Sequence, residues 1–476
     1  MTLDVTVGSV GAQENTPRTK VHLTCVLTLT FFHFIACYAV WIVIPYHVLS
    51  TPENGWTISD LSIIFVTFNL GSIAASQICG LAESSTKWMN TIIFVGHLTQ
   101  FISGIIGFVI MSSIFGFNKS LFFFGAFLAG ICNEYTITQS YGRLISTDDK
   151  IQKQLLSSIA NIAIVAAIVN SFLLLAIYEQ AGFQIFCGSV CAMEAFAILV
   201  LLVLWHGIAG QSGREGVIQV LGCDPRFNVV EIPLLKLLSP SVYCLLFIQA
   251  MVGLTGAMYW AAHPIVFVTE FGIGSVVAGY LSAAGGVFSF IVLSVIVKNS
   301  KKFKVFQYPF DILLLALVYA IGNAAFIVFD GQWVAYSFHW IILGLCNVMR
   351  GCESVSRLDL CPPAAFSRIT SIAGALRTVG YLSGSALGAM LCTVSTKLPF
   401  MVVVVLEVIL AVVIFMVYIR RVRYLSTFHD EDVSYLIKEK AHYNRMYESY
   451  IRGHGLTDMG LEQNARDCPE DRNNVT

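Results

Sequence analysis

The chain repeats itself. Gly130, Cys132, Asn133, Ser140, Arg143 and Leu144 recur as Gly344, Cys346, Asn347, Ser354, Arg357 and Leu358, each pair separated by 214 positions. Ser158-Ile159-Ala160 returns as Ser371-Ile372-Ala373 at 213, and Trp41-x-x-x-Pro45 returns as Trp260-x-x-x-Pro264 at 219. Separations that drift so little indicate one duplication with small loop deletions, so two halves of one shared fold are expected.

Both copies lie in long apolar stretches. At 476 residues, 56% hydrophobic and 12% charged, the chain is too apolar for a soluble protein. A membrane helix needs roughly 20 apolar residues, and on that measure twelve spans are expected. They fall at about 22–48, 59–81, 90–115, 121–143, 155–178 and 183–206, then about 239–269, 275–297, 305–329, 333–356, 368–393 and 398–419. The fold class is therefore all-α and polytopic. A tail (1–20), a six-helix half (21–206), a linker (207–238), a second half (239–421) and a tail (422–476) follow in order.

Alternate loops and ends carry Arg18, Lys20, Lys87, Lys150, Lys153, Arg214, Arg226, Lys236, Lys298, Lys301, Lys302, Lys304, Arg368, Arg420, Arg421 and Arg423. The loops on the opposite side carry only Lys119 and Lys397. This bias predicts both termini on the cytoplasmic side. The first apolar stretch is too long for a signal-peptide core and reads as a retained helix. The cysteines have neither zinc spacing nor a disulfide framework. Asn118-Lys119-Ser120 is a glycosylation sequon on the outer side. In the C-terminal tail, Asp432-x-x-x-Leu436-Ile437 and Tyr443-x-x-Met446 resemble endosomal sorting signals, and the same residues also suit an interfacial amphipathic helix. Plasma and endolysosomal membranes both stay open.

A duplicated six-plus-six arrangement with a cytoplasmic linker resembles the major facilitator superfamily over roughly residues 21–421. The family's loop signature after its second helix is kept in part, as Leu81-Ala82-Glu83-Ser84-Ser85-Thr86-Lys87. Its arginine and glycine are replaced by Ser84 and Thr86. The resemblance implies that helices 1, 4, 7 and 10 line a central cavity, that 3, 6, 9 and 12 lie outside, and that the halves rock against each other. It also implies a cytoplasmic latch in which Glu83 pairs with Arg143, with Lys87 and Arg357 as further latch residues.

Ionisable residues within the spans are costly, so they point to partners or function. The candidates are Glu134, Glu194, Arg350, Glu353, Arg377 and Glu407, with His33, His263 and His339 among the helix-interior histidines. At about 1.5 Å per residue, Glu134 and Arg377 lie about 13 Å inside the boundary marked by Arg143, Arg357 and Arg368, and Arg350 about 10 Å. A shared binding or gate layer is expected. Arg350, Glu353 and Arg357 fall on one stripe, whereas Glu134 is about half a turn off the face of Arg143. Arg377 is the stronger candidate, because it precedes Gly380-x-x-x-Gly384-x-x-x-Gly388, a stripe that admits another backbone.

Glu194 and Glu407 stand 213 apart in segments 6 and 12 and are candidate proton carriers, since burial favours a neutral carboxyl. Inward packing of a neutral glutamate is the competing reading. His33 and His263 are candidates for proton coupling. Tyr259, Trp260 and His263, facing Trp41 and Pro45, are expected to form the outer half of a pocket; interface anchoring competes for both tryptophans.

The expected function is secondary transport of a small organic solute, anionic or carboxylate-bearing, with proton coupling. A non-transporting sensor, receptor or membrane-protein chaperone of the same build stays open. The expected partners are the solute, protons and the bilayer, with no nucleic acid, and the expected state is a monomer. No Walker sequence, metal-ligand cluster or Ser/His/Asp grouping suggests an enzyme, a metal or a cofactor.

Overall fold

A computed structural model describes residues 17–50, 55–82, 86–111, 118–131, 149–209, 240–299, 303, 307–360 and 363–426. Among these residues there are twelve α-helices and no strand. They are α1 (Pro17–Ser50), α2 (Ile58–Ala82), α3 (Thr86–Met111), α4 (Lys119–Ile131), α5 (Asp149–Val169) and α6 (Leu175–Ala209). Then come α7 (Pro240–Val266), α8 (Ser275–Asn299), α9 (Phe310–Val328), α10 (Gln332–Leu360), α11 (Pro363–Val394) and α12 (Leu398–Ser426). Single π turns follow α5 (Asn170–Leu174) and α7 (Phe267–Phe271).

Local chemistry sets the helix ends. Thr57 and Asp60 form a capping box at α2: the Thr57 N–H donates to Asp60 Oδ2 at 2.8 Å, and the Asp60 N–H to Thr57 Oγ1 at 3.2 Å. Asn118, the sequon asparagine, is exposed and caps α4 by accepting the Leu121 N–H at 3.1 Å. The segment after α7 ends at Gly272, whose φ of 61° is the left-handed conformation glycine adopts without steric cost. Within α6 the helix breaks at Gly182, with φ 83°.

Seven helical segments among the described residues are long and apolar enough to cross a membrane. One of them, Asn161–Leu202, is broken at Gly182, leaving about 20 residues on either side, enough for a pass each. The expected spans at α10 and α11 are helical but fall short of that apolarity. The reason is their polar content: His339, Asn347, Arg350, Glu353 and Arg357 on α10, and Arg377 with the glycine stripe on α11. Large apolar side chains such as Phe124, Phe196, Ile321 and Val405 are exposed on the helices, a make-up compatible with a multi-pass membrane protein.

Helix α7 is the most enclosed, with 78% of its apolar window buried against 22% for α3 and 33% for α12. Packing repeats along the chain. In the first six helices α1 meets α5 and α6, α2 meets α4, and α3 meets α4 and α6. In the last six α7 meets α11 and α12, α8 meets α10, and α9 meets α10 and α12. Contacts of α2 with α11, α5 with α8 and α1 with α7 join the two sets.

Glycine sits at the closest approaches. A Cβ on Gly71 or Gly130 would lie 2.2 Å from the Phe127 oxygen or 1.8 Å from the Phe68 oxygen, so α2 and α4 touch backbone to backbone. Gly285 and Gly344, each 214 positions later, do the same for α8 and α10, at 2.9 Å from the Trp340 oxygen and 3.0 Å from the Gly285 oxygen. Gly130→Ala is expected to cost about 1–3 kcal/mol through forced separation of the helices, read as a lower melting temperature. Gly274→Ala, where an added Cβ meets nothing within 4 Å, is the matched control and is expected to be neutral.

Candidate functional site

The Gly380, Gly384 and Gly388 stripe packs on α7 at the Ala250, Leu254 and Met258 carbonyls, so these two helices run in close contact. Gly253 of α7 packs on the backbone of Arg377, and Gly256 lies beside the Arg350 guanidinium, with Nη2 3.3 Å from where a Cβ would stand. Residues 253 and 256 are one turn apart, about 4.5 Å along α7, so Arg350 and Arg377 occupy nearly one level.

The two arginines differ in surroundings. Arg377 is buried and within electrostatic reach of Glu353, which is also buried. Glu353 accepts a hydrogen bond from Gln249 Nε2 of α7, and its Oε1 lies 3.7 Å from Arg357 Nε one turn along α10. Arg350 is partly exposed. Its guanidinium stands 5.1 Å over the Tyr381 ring of α11, and Nη1 donates to Asn347 Oδ1 at 3.5 Å. The same guanidinium also bonds the Cys346 thiol on its own helix.

One turn beyond Gly256 lies a polar and aromatic cluster. Tyr259 Oη and His339 Nδ1 of α10 are 2.7 Å apart, and His339 Nε2 is 3.2 Å from Ser282 Oγ of α8. His263 packs tilted against His339 with ring centroids 4.7 Å apart, and its Nδ1 donates to the Tyr259 carbonyl at 3.2 Å. That bond fixes the Nδ1–H form, because a carbonyl cannot donate. Trp260 packs edge-on to His263 at 5.5 Å. Tyr46, next to Pro45 on α1, is buried and within electrostatic reach of Tyr259.

The paired acids of segments 6 and 12 have unlike partners. Glu194 Oε2 is 2.8 Å from His97 Nδ1 of α3, with both side chains at 0% exposure. Glu407 Oε1 is 2.6 Å from Thr255 Oγ1 of α7. Neither His97 nor Thr255 stands out in the sequence. Three further bonds tie helices together: Asn170 Nδ2 donates to the Ile35 oxygen at 2.7 Å, Asn69 Nδ2 to Ser385 Oγ at 3.3 Å, and Ser72 Oγ to the Gly130 oxygen at 2.9 Å.

Both lysines expected on the sparsely charged side are paired. Lys119 Nζ is 2.7 Å from Asp60 Oδ2, and Lys397 Nζ is 2.7 Å from Asp330 Oδ1. Lys119 is a third exposed, so Lys119→Ala is expected to change stability by no more than about 1 kcal/mol in thermal melts.

Glu83, Glu134 and Arg143 lie outside the described residues; for His33, Trp41 and Lys87 only the helical backbone is described. A cavity of about 70 Å³ lies among α1, α3, α4 and α6, remote from Arg350 and lined mainly by apolar groups such as Phe122, Phe183 and Phe186. No group of three or more His, Cys, Asp or Glu among the described residues is arranged to hold a metal ion. No protein-family model matches the chain, and no curated protein does.

Proposed function

We propose that the chain is a twelve-span carrier of two six-helix halves, similar in build to the major facilitator superfamily, that moves a small organic anion across a membrane by alternating access. The observation that carries this reading is Arg350. It is a partly exposed arginine deep in a span, beside a glycine of the most enclosed helix and over the Tyr381 ring of a third. An intramembrane cation kept this way suits a transient anion. Arg377 and Arg357, grouped around Glu353, balance that carboxylate.

The two-half arrangement draws support from packing. The five main helix contacts within the first set recur with both partners shifted by six, and the Gly71/Gly130 contact recurs at Gly285/Gly344. Contacts of α2 with α11 and α5 with α8 then run between the halves, where rocking takes place. On this reading the tails and the linker are cytoplasmic.

A thermal-shift screen of purified protein against carboxylates, phosphates, sugars and amines tests the solute class, because a ligand of the folded state raises the melting temperature. A carboxylate is expected to stabilise the wild type and to lose that effect in Arg350→Gln. Stabilisation by sugars or amines alone would overturn the anion assignment.

A further inference from the structure

Glu407 is fully buried, and among the described residues it has no ion pair. Thr255 Oγ1 lies 2.6 Å from Glu407 Oε1 and 3.0 Å from the Met251 carbonyl oxygen. A hydroxyl has one hydrogen, a carbonyl oxygen none and a carboxylate none. Both contacts are full hydrogen bonds only when Thr255 donates to Met251 and receives a hydrogen from Glu407. The remaining oxygen, Oε2, is buried without a hydrogen bond. In a neutral acid that atom is an unpaired carbonyl oxygen. In an anion it would be an unpaired buried charge, which is far more costly.

We propose that Glu407 is a proton-binding site, loaded with a proton from water in this conformation and bonded through it to Thr255. Glu194, 213 positions earlier, is held instead by the His97 imidazole and needs no such proton. The titratable groups within reach of Glu407 are Tyr319 of α9 and Cys346 of α10, and Arg350 is in reach of those same two groups. Thr255 and Gly256 are neighbours on α7, the first touching Glu407 and the second lying beside Arg350. Resting on the carrier reading above, this makes Glu407 the group through which protons couple to anion movement.

Infrared difference spectroscopy of the full-length protein in lipid vesicles tests the site without any solute. A carbonyl stretch of a buried neutral carboxylic acid is expected at neutral pH. It should vanish in Glu407→Gln, persist in Glu194→Gln, and move to higher frequency in Thr255→Val, where the acceptor is lost. Absence of the band in wild type, or its survival in Glu407→Gln, would overturn the proposal. If Glu407→Gln does not fold, an unshifted band in Thr255→Val overturns it equally. A band that follows Glu407 in a protein that moves no anion leaves the proton site standing and removes only the carrier reading.

Discussion

Arg350→Gln is expected to weaken carboxylate binding by roughly 10- to 100-fold while the protein stays folded. A hydrogen-bonded contact to a charged group contributes about 1.5–3 kcal/mol, and each 1.4 kcal/mol is a factor of about ten. The described partners of Arg350 include the Tyr381 ring, Asn347 and Cys346, and because its side chain is partly exposed its replacement is expected to leave the protein folded. Arg350→Lys keeps the charge but not the planar guanidinium over Tyr381, and should fall between wild type and Gln. Arg377→Gln should behave differently. It takes a cation from the neighbourhood of buried Glu353, so the main loss is in melting temperature rather than in affinity. Equal affinity in wild type and Arg350→Gln, by titration calorimetry, would remove this arginine from the site.

His97→Leu is expected to cost about 1–3 kcal/mol, the range for leaving a buried polar group without its hydrogen-bond partner. Solvent does not screen the pair, since both side chains are at 0% exposure, and α3 and α6 close over it through Gly104 against Cys191 and Gly107 against Cys187. Adding Glu194→Leu should recover most of the loss, because two apolar groups of suitable volume replace a buried pair with little penalty. Thermal melts of the two single variants and the double variant measure this. A single His97→Leu variant as stable as wild type would mean that the hydrogen bond adds nothing to stability.

The helical make-up and a close approach at the α11 glycine stripe were legible in the sequence because period and small-residue spacing are local properties. Gly380, Gly384 and Gly388 announce a close approach, though not that α7 supplies the other backbone. Gly130 and Gly344, paired by the repeat, both lie at backbone contacts, a role the repeat by itself did not announce. Partner identity was not legible. Helical phase tells which face a residue occupies but not which helix covers it, so His97 for Glu194 and Thr255 for Glu407 could not be foreseen. Depth puts Glu134, Arg350 and Arg377 in one expected layer; Glu134 lies outside the described residues, and the Arg350 guanidinium and the Arg377 backbone lie one turn apart along α7. What depth could not supply was the Glu353 and Gln249 grouping that separates their roles.

The most direct measurement is exchange in sealed proteoliposomes, loaded with unlabelled mono- and dicarboxylates and presented with each labelled acid outside. Wild-type protein is expected to exchange at least one labelled carboxylate well above the rate in protein-free vesicles, and Arg350→Gln is expected to fall to that background. Folded wild-type protein that exchanges none of them, or an Arg350→Gln variant that exchanges at the wild-type rate, would contradict the account.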